Sequence, residues 1–190
     1  NDYGQVSMYV DDISLSESSV MAPGSVTDAD VKTDGANLKA TISFTAPTTD
    51  INGGELTSIE RIDVTRDGAT VGSVANPEPG KQYSVTDNSP AAGANTWSIV
   101  AHNESGDGDA TTVSAWVGED TPLPVTGIKI ERTADGNASL SWTAPTEGVN
   151  GGYVDPSSMT YTITRLPDNK VVSEEKTANS FTDAVDQTAD

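Results

Sequence analysis

The feature that most constrains this chain is an internal repeat. Segment 39–54 reads KATISFTAPTTDINGG, and segment 137–152, which lies 98 residues further on, reads NASLSWTAPTEGVNGG. Nine of the sixteen positions are identical, and Phe44 in the first copy corresponds to Trp142 in the second. Because a chain of 190 residues has room for two small domains, the repeat predicts two copies of one fold.

The first copy has the alternation of apolar and polar residues that is typical of half-buried β-strands. This pattern runs from Leu38 to Phe44, and Pro47 ends it because proline cannot donate to a strand ladder. Segment 66–68, Arg-Asp-Gly, is a tight-turn sequence. With no segment of helical period, an all-β chain of immunoglobulin-like sandwiches is predicted. Further strands are expected at residues 62–64, 70–74, 83–85, 97–101 and 113–117.

Segment 97–108, WSIVAHNESGDG, resembles the fibronectin type III signature, in which the penultimate strand ends in Ala-x-Asn-x-x-Gly-x-Gly. Trp97 stands where that family commonly has its tyrosine-corner tyrosine, whose hydroxyl hydrogen bond an indole cannot reproduce. The resemblance implies tandem fibronectin type III-like domains from a modular bacterial extracellular protein. It also implies four aromatic residues in the structural cores, namely Phe44, Trp97, Trp142 and Tyr161.

The repeat and the resemblance together predict the domain boundaries. Residues 22–118 are expected to form one sandwich, 119–124 a proline-containing linker, and 125–190 a second sandwich. The penultimate strand of the second copy is expected beyond residue 190, so this sandwich is predicted to be truncated. Its open sheet edges would then allow a homodimer.

Residues 1–20 belong to neither copy. The string Tyr-Val-Asp-Asp-Ile at 9–13 resembles the closing strand of the jelly-roll modules, of the adhesin or MAM-like kind, that precede fibronectin-like domains in bacterial surface proteins. Acids near this strand serve calcium in the resembled modules, which makes Asp11 and Asp12 candidate Ca²⁺ ligands. The alternative is a solvated acidic surface, and no other cofactor is predicted.

Composition excludes several classes of partner. The 29 acidic residues against ten Lys and Arg give a net charge of −19, which opposes phosphate backbones and anionic headgroups. No apolar run approaches the roughly 20 residues needed to span a bilayer, so neither nucleic acid nor membrane insertion is predicted. The absence of cysteine excludes disulfides and thiolate zinc sites, and for an extracellular protein it favours a bacterial source.

No catalytic constellation is visible, and the chain is predicted not to be an enzyme. The only histidine, His102, is expected to face solvent on the side of its strand opposite Trp97. Two aromatic residues are candidates for stacking on a sugar: Tyr153, which follows a Gly-Gly loop, and Trp116, which is out of phase with its apolar neighbours. The alternative for Trp116 is that it covers the junction between the domains.

These observations predict a spacer or adhesion segment of a secreted or cell-surface bacterial protein, with a protein or glycan at the cell surface as its partner. Two alternatives stay open. One is an accessory module of an extracellular protease or glycoside hydrolase, and the other is a carbohydrate-binding module.

Overall fold

The computed structural model describes residues 20–35 and 37–184, apart from the side chains of residues 175 and 176. Within these ranges every regular element is a β-strand, and every pairing between strands is antiparallel. The all-β prediction is confirmed. No helix long and apolar enough to cross a membrane occurs in this part of the chain. Asp11 and Asp12, with the predicted jelly-roll strand, lie outside the described residues.

The first copy is an immunoglobulin-like sandwich of two sheets. One sheet has the order β1 (Thr27–Thr33), β2 (Ala40–Thr45) and β5 (Gln82–Asp87). The other has the order β4 (Ala69–Ala75), β3 (Arg61–Arg66), β6 (Gly93–Asn103) and β7 (Gly106–Asp107), with β8 (Thr111–Val117) also paired to β6. The strands predicted from alternation are all present, whereas β1 was not predicted.

The core of this sandwich lies between the two sheets. Buried positions of β2, β3 and most of β6 alternate with half-buried or exposed ones, as expected when one face of each sheet is covered. Phe44 and Trp97, which were expected in the core, are both fully buried. They belong to one apolar cluster with Ile42, Ile62, Val64, Ile99 and Val117.

Trp97, which stands where the resembled family commonly has a tyrosine, donates its indole N–H to a buried carboxylate. Trp97 Nε1 donates to Asp87 Oδ2 at 3.0 Å, and Arg66 Nε donates to the same oxygen at 2.8 Å. The backbone N–H of Ser89 donates to Asp87 Oδ1 at 3.1 Å. Asp87 is only 3% exposed, so this carboxylate is a buried charge with three donors.

The second copy repeats the strand order of the first. Strands β9 (Thr126–Arg132), β10 (Ala138–Thr143) and β13 (Ser180–Asp183) form one sheet, and β11 (Tyr161–Arg165) and β12 (Lys170–Lys176) form the other. Its β10–β13 pairing begins as the β2–β5 pairing does, since Ala138 pairs with Asp183 as Ala40 pairs with Asp87. Arg165 lies 3.2 Å from Asp183, so the buried Arg–Asp pair of the first sandwich has a counterpart here.

The core of the second copy is less enclosed. Trp142 is 9% exposed, and its ring meets the half-buried ring of Tyr161 edge to face at a centroid distance of 5.0 Å. The Trp142 indole N–H has no hydrogen-bond partner within the described part of the chain. Ile128 and Ile130 of β9 are more than half exposed. In this copy the described residues include no counterpart of β6 or β8.

Candidate functional site

The junction between the sandwiches brings together the two aromatic residues that the sequence analysis selected. Trp116 lies near the end of β8, and its Nε1 donates to the carbonyl of Glu119 at 2.9 Å. Its ring also lies against Gly152, where an added Cβ would be 2.2 Å from Trp116 Cδ1. Trp116 therefore bridges the last strand of the first sandwich, the linker and a loop of the second.

Tyr153 pairs with the linker through its backbone. Its N–H donates to the carbonyl of Gly118 at 3.0 Å, and its carbonyl accepts from the N–H of Asp120 at 2.8 Å. Its ring faces the β1–β2 loop of the first sandwich, because a Cβ on Gly35 would be 3.1 Å from Tyr153 Cδ2. Tyr153 and Trp116 are both half-buried, and their contacts favour the alternative in which Trp116 covers the junction.

The side chain of Asp120 is the best-satisfied polar group at the junction. Oδ2 accepts the backbone N–H groups of Asn150 at 2.6 Å and Gly152 at 3.1 Å. Oδ1 accepts the Asn150 side-chain amide at 2.9 Å and the backbone N–H of Thr121 at 2.7 Å. Desolvation opposes ionisation, but these hydrogen bonds outweigh it and hold the pKa of the Asp120 carboxyl below its ordinary value.

A cleft of about 310 Å³ opens beside this contact. Two acidic residues besides Asp120 line it, Glu119 and Asp155. Side-chain and backbone hydrogen bonds from Ser157 fix Asp155 and lower the pKa of its carboxyl. The described residues nevertheless contain no group of three or more His, Cys, Asp or Glu arranged to hold a metal ion. The cleft is lined by Glu119, Asp120, Pro122, Tyr153, Val154, Asp155, Ser158, Met159 and Thr160.

The prediction that His102 faces solvent is wrong. The residue is 8% exposed, because β7 folds back over it and places Asp107 opposite it in the ladder. His102 Nδ1 lies 2.5 Å from Asp107 Oδ1, and Nε2 lies 3.2 Å from Asp63 Oδ2. Both ring nitrogens of His102 thus face carboxylates. A catalytic base would instead have a nucleophile beside one of these nitrogens.

Asp120 was not among the residues predicted from the sequence, although the repeat contained a signal. Position 50 of the first copy is aspartate, whereas the corresponding position 148 of the second is glycine. In the first sandwich Asp50 Oδ1 accepts the backbone N–H groups of Asn52 at 2.8 Å and Gly54 at 2.9 Å. The corresponding donors of the second sandwich are those that bind Asp120.

Comparison with known proteins gives matches among solved structures only. No family model matches the chain, and no curated protein matches it. The FN1–FN3 domains of chicken CNTN1 are 23% identical, with 67% of this chain and 45% of that chain covered and a TM-score of 0.39. A segment of two fibronectin type III domains from chicken tenascin is 19% identical, with 63% and 62% covered and a TM-score of 0.34. The match spans less than two thirds of either structure. The fold assignment follows from the strand order and pairing described above.

Proposed function

We propose that this chain is a non-catalytic spacer or adhesion segment of a secreted or cell-surface bacterial protein. The observation that carries the proposal is the hydrogen-bonded junction. The linker backbone pairs with Tyr153, the Asp120 carboxylate is bound by a loop of the second sandwich, and the Tyr153 ring faces the first. A linker bound in this way restricts rotation between the sandwiches, which suits a protein that holds other domains at a distance.

The chemistry of the polar groups supports a non-catalytic role. His102 lies between two carboxylates, and the buried Asp87 is bound by an arginine, an indole and a backbone N–H. The same joint would serve an accessory module of an extracellular hydrolase, with the catalytic module elsewhere in that protein. A sugar platform formed by Tyr153 and Trp116 is less favoured because both rings take part in the junction.

The spacer proposal predicts an elongated particle in solution. Small-angle X-ray scattering of the 190-residue chain is expected to give a radius of gyration above the roughly 16 Å of a compact globule of this length. The distance distribution should have a shoulder at the separation of two sandwich centres. A compact profile without this shoulder would contradict an end-to-end arrangement.

The sheet edges of the second sandwich are the proposed site of self-association. In the first sandwich β3 pairs with both β4 and β6, whereas β11, its counterpart, pairs with β12 alone among the described strands. The exposed Ile128 and Ile130 add apolar surface on the other sheet. An edge with unpaired backbone groups beside apolar side chains is a template for strand addition, and a second copy of this chain could supply that strand.

Light scattering is expected to give the mass of a dimer, about twice the 19.7 kDa of the chain. Replacing Thr162 of β11 by proline should shift the mass towards the monomer, because proline cannot donate to an added strand. Proline at Thr70 of the first sandwich, which lies on the edge strand β4, is the matched control and should leave the mass unchanged. A monomer at high concentration in the parent chain would refute this proposal and leave the spacer proposal intact.

A further inference from the structure

The loops that follow β2 and β10 have the same backbone hydrogen bonds. In the first sandwich Asp50 N–H donates to the Gly54 carbonyl at 2.9 Å, and in the second Gly148 N–H donates to the Gly152 carbonyl at 3.1 Å. A second hydrogen bond, from Gly53 to Asp50 and from Gly151 to Gly148, is 3.0 Å long in both copies. The two loops are therefore one structure that occurs twice.

What differs is the origin of the carboxylate that binds the loop. In the first sandwich it belongs to the loop itself, since Asp50 accepts from two N–H groups within the next four residues, as aspartate commonly does in turns. In the second sandwich it comes from Asp120, which precedes Asn150 by 30 residues and belongs to the linker. The donor N–H groups are equivalent, at Asn52 and Gly54 in one copy and at Asn150 and Gly152 in the other.

Two glycines make room for the incoming side chain. A Cβ on Gly148 would lie 2.3–2.5 Å from three atoms of the Asp120 side chain. A Cβ on Gly152 would lie 2.7 Å from Asp120 Cβ and closer still to the Trp116 ring. Side chains at positions 148 and 152 would therefore displace the linker. The second loop lacks a carboxylate of its own, and the space beside its two glycines is filled by the side chains of Asp120 and Trp116.

We propose that Asp120 sets the orientation between the two sandwiches by supplying, from the linker, the carboxylate that the loop of the second sandwich lacks. The inference rests on the proposed spacer function and assigns the stiffness of the joint to one residue. Asp120 is a positioning residue: it acts through the loop 147–152 and, through Tyr153, on the contact with the first sandwich. The first sandwich forms the same loop with Asp50 as its carboxylate. There the segment before β1 contacts the loop through its backbone, since the Ile51 N–H donates to the Ala22 carbonyl at 3.0 Å and the Gly24 N–H to the Thr49 carbonyl at 2.8 Å.

The orientation can be measured with a pair of spin labels. Because the chain contains no cysteine, cysteines at Thr70 and Glu131 would be labelled selectively, and both residues are exposed on strands, one in each sandwich. Double electron–electron resonance then reports the distribution of distances between the sandwiches. In parallel, amide hydrogen exchange at Asn150 and Gly152 reports whether the loop still binds a carboxylate.

The decisive variants move the carboxylate. Asp120→Gly is expected to broaden the distance distribution and to accelerate exchange at the two amides. Combining it with Gly148→Asp returns a carboxylate to the position of Asp50. This double variant is expected to recover the slow exchange while the distribution stays broad. The loop then has its own carboxylate, and the linker has lost its side-chain hydrogen bonds to the loop.

Two controls separate this role from general effects. Glu119→Gly introduces the flexibility of glycine into the linker but keeps Asp120, and it should keep the narrow distribution. Asp50→Gly removes the same type of hydrogen bond from the first sandwich, remote from the linker, and it should also keep the narrow distribution.

The outcomes distinguish the two proposals. A narrow distribution in the parent and a broad one in Asp120→Gly support the inference. A narrow distribution in Asp120→Gly, or its recovery in the double variant, overturns the role of Asp120 and leaves the spacer function standing. A broad distribution in the parent chain overturns the stiff joint itself, and with it both proposals.

Discussion

Replacing Asp87 by alanine is expected to lower the free energy of unfolding of the first sandwich by about 3–5 kcal/mol, because one partner of a buried ion pair is removed. Arg66 loses an acceptor at 2.8 Å, and the fully buried Trp97 loses the acceptor of its indole N–H at 3.0 Å. Urea denaturation followed by tryptophan fluorescence measures the loss, since the environment of Trp97 changes when this sandwich unfolds.

Asp67→Asn is the matched control, because asparagine removes the charge and tolerates the positive φ of 52° at this position. The carboxylate of Asp67 lies 3.5 Å from the same Arg66 guanidinium, but the Asp67 side chain is 85% exposed. Because exposed ion pairs contribute little, this variant should unfold at nearly the urea concentration of the parent. An equal loss of unfolding free energy in the two variants would show that burial does not determine how much Asp87 stabilises the sandwich.

Acid should weaken the same interaction. Desolvation opposes ionisation of Asp87, but hydrogen bonds from Trp97, Arg66 and Ser89 outweigh it, so the pKa of its carboxyl lies below the ordinary 3.8. A carboxyl whose pKa is lower in the folded state stabilises the fold above its unfolded pKa, and this contribution disappears as the pH falls through the folded pKa. Asp87→Asn should therefore reduce the loss of stability on acidification below pH 3.8.

Replacing Phe44 by alanine is expected to lower the free energy of unfolding of the first sandwich by about 3–5 kcal/mol, the range for removing a large aromatic side chain from a closed core. Phe44 is fully buried in a cluster formed by both sheets. Differential scanning calorimetry should show the first sandwich melting at a lower temperature while the transition of the second is unchanged.

Trp142→Ala is the matched variant in the second copy, and a smaller loss is expected from it. Trp142 lines a mainly apolar groove of about 210 Å³ together with Leu140, Tyr161 and Ile163. Because this groove is open on one side, water can enter the space left by the indole, and the Trp142 N–H has no hydrogen bond to lose within the described residues. Equal losses in the two copies would contradict the interpretation that the second core is the more open one.

The sequence predicted the strands whose inward residues are large. Alternation around Ile42, Ile62 and Trp97 locates β2, β3 and β6, and the Asp67-Gly68 turn is confirmed by positive φ angles of 52° and 79° at its two residues. Strand β1 was missed because the sequence TDADVKT has only the small side chains of Ala29 and Val31 packed against the core. Its acidic residues hide the alternation that hydrophobicity would reveal.

The site was harder to predict because its parts are distant in sequence. The exchange of Asp50 for Gly148 between the copies indicates that a carboxylate is missing, but not that Asp120 replaces it. Alternation placed His102 correctly on the face opposite Trp97. It could not reveal that Asp63 and Asp107 cover that face, because the cover comes from a neighbouring strand and from β7. Periodicity predicts which face a residue occupies, and tertiary contacts decide whether that face is exposed.

The origin of the Asp120 carboxylate bears on how such a domain could be exchanged between proteins. A sandwich that contains its own Asp50-type residue does not depend on the preceding segment for this carboxylate. The second sandwich does, because a transferred segment that began at residue 125 would leave the N–H groups of Asn150 and Gly152 without their acceptor. The smallest segment that could be transferred with its loop intact begins within the linker, at or before Asp120. This boundary lies before the first strand of the second sandwich, which begins at Thr126.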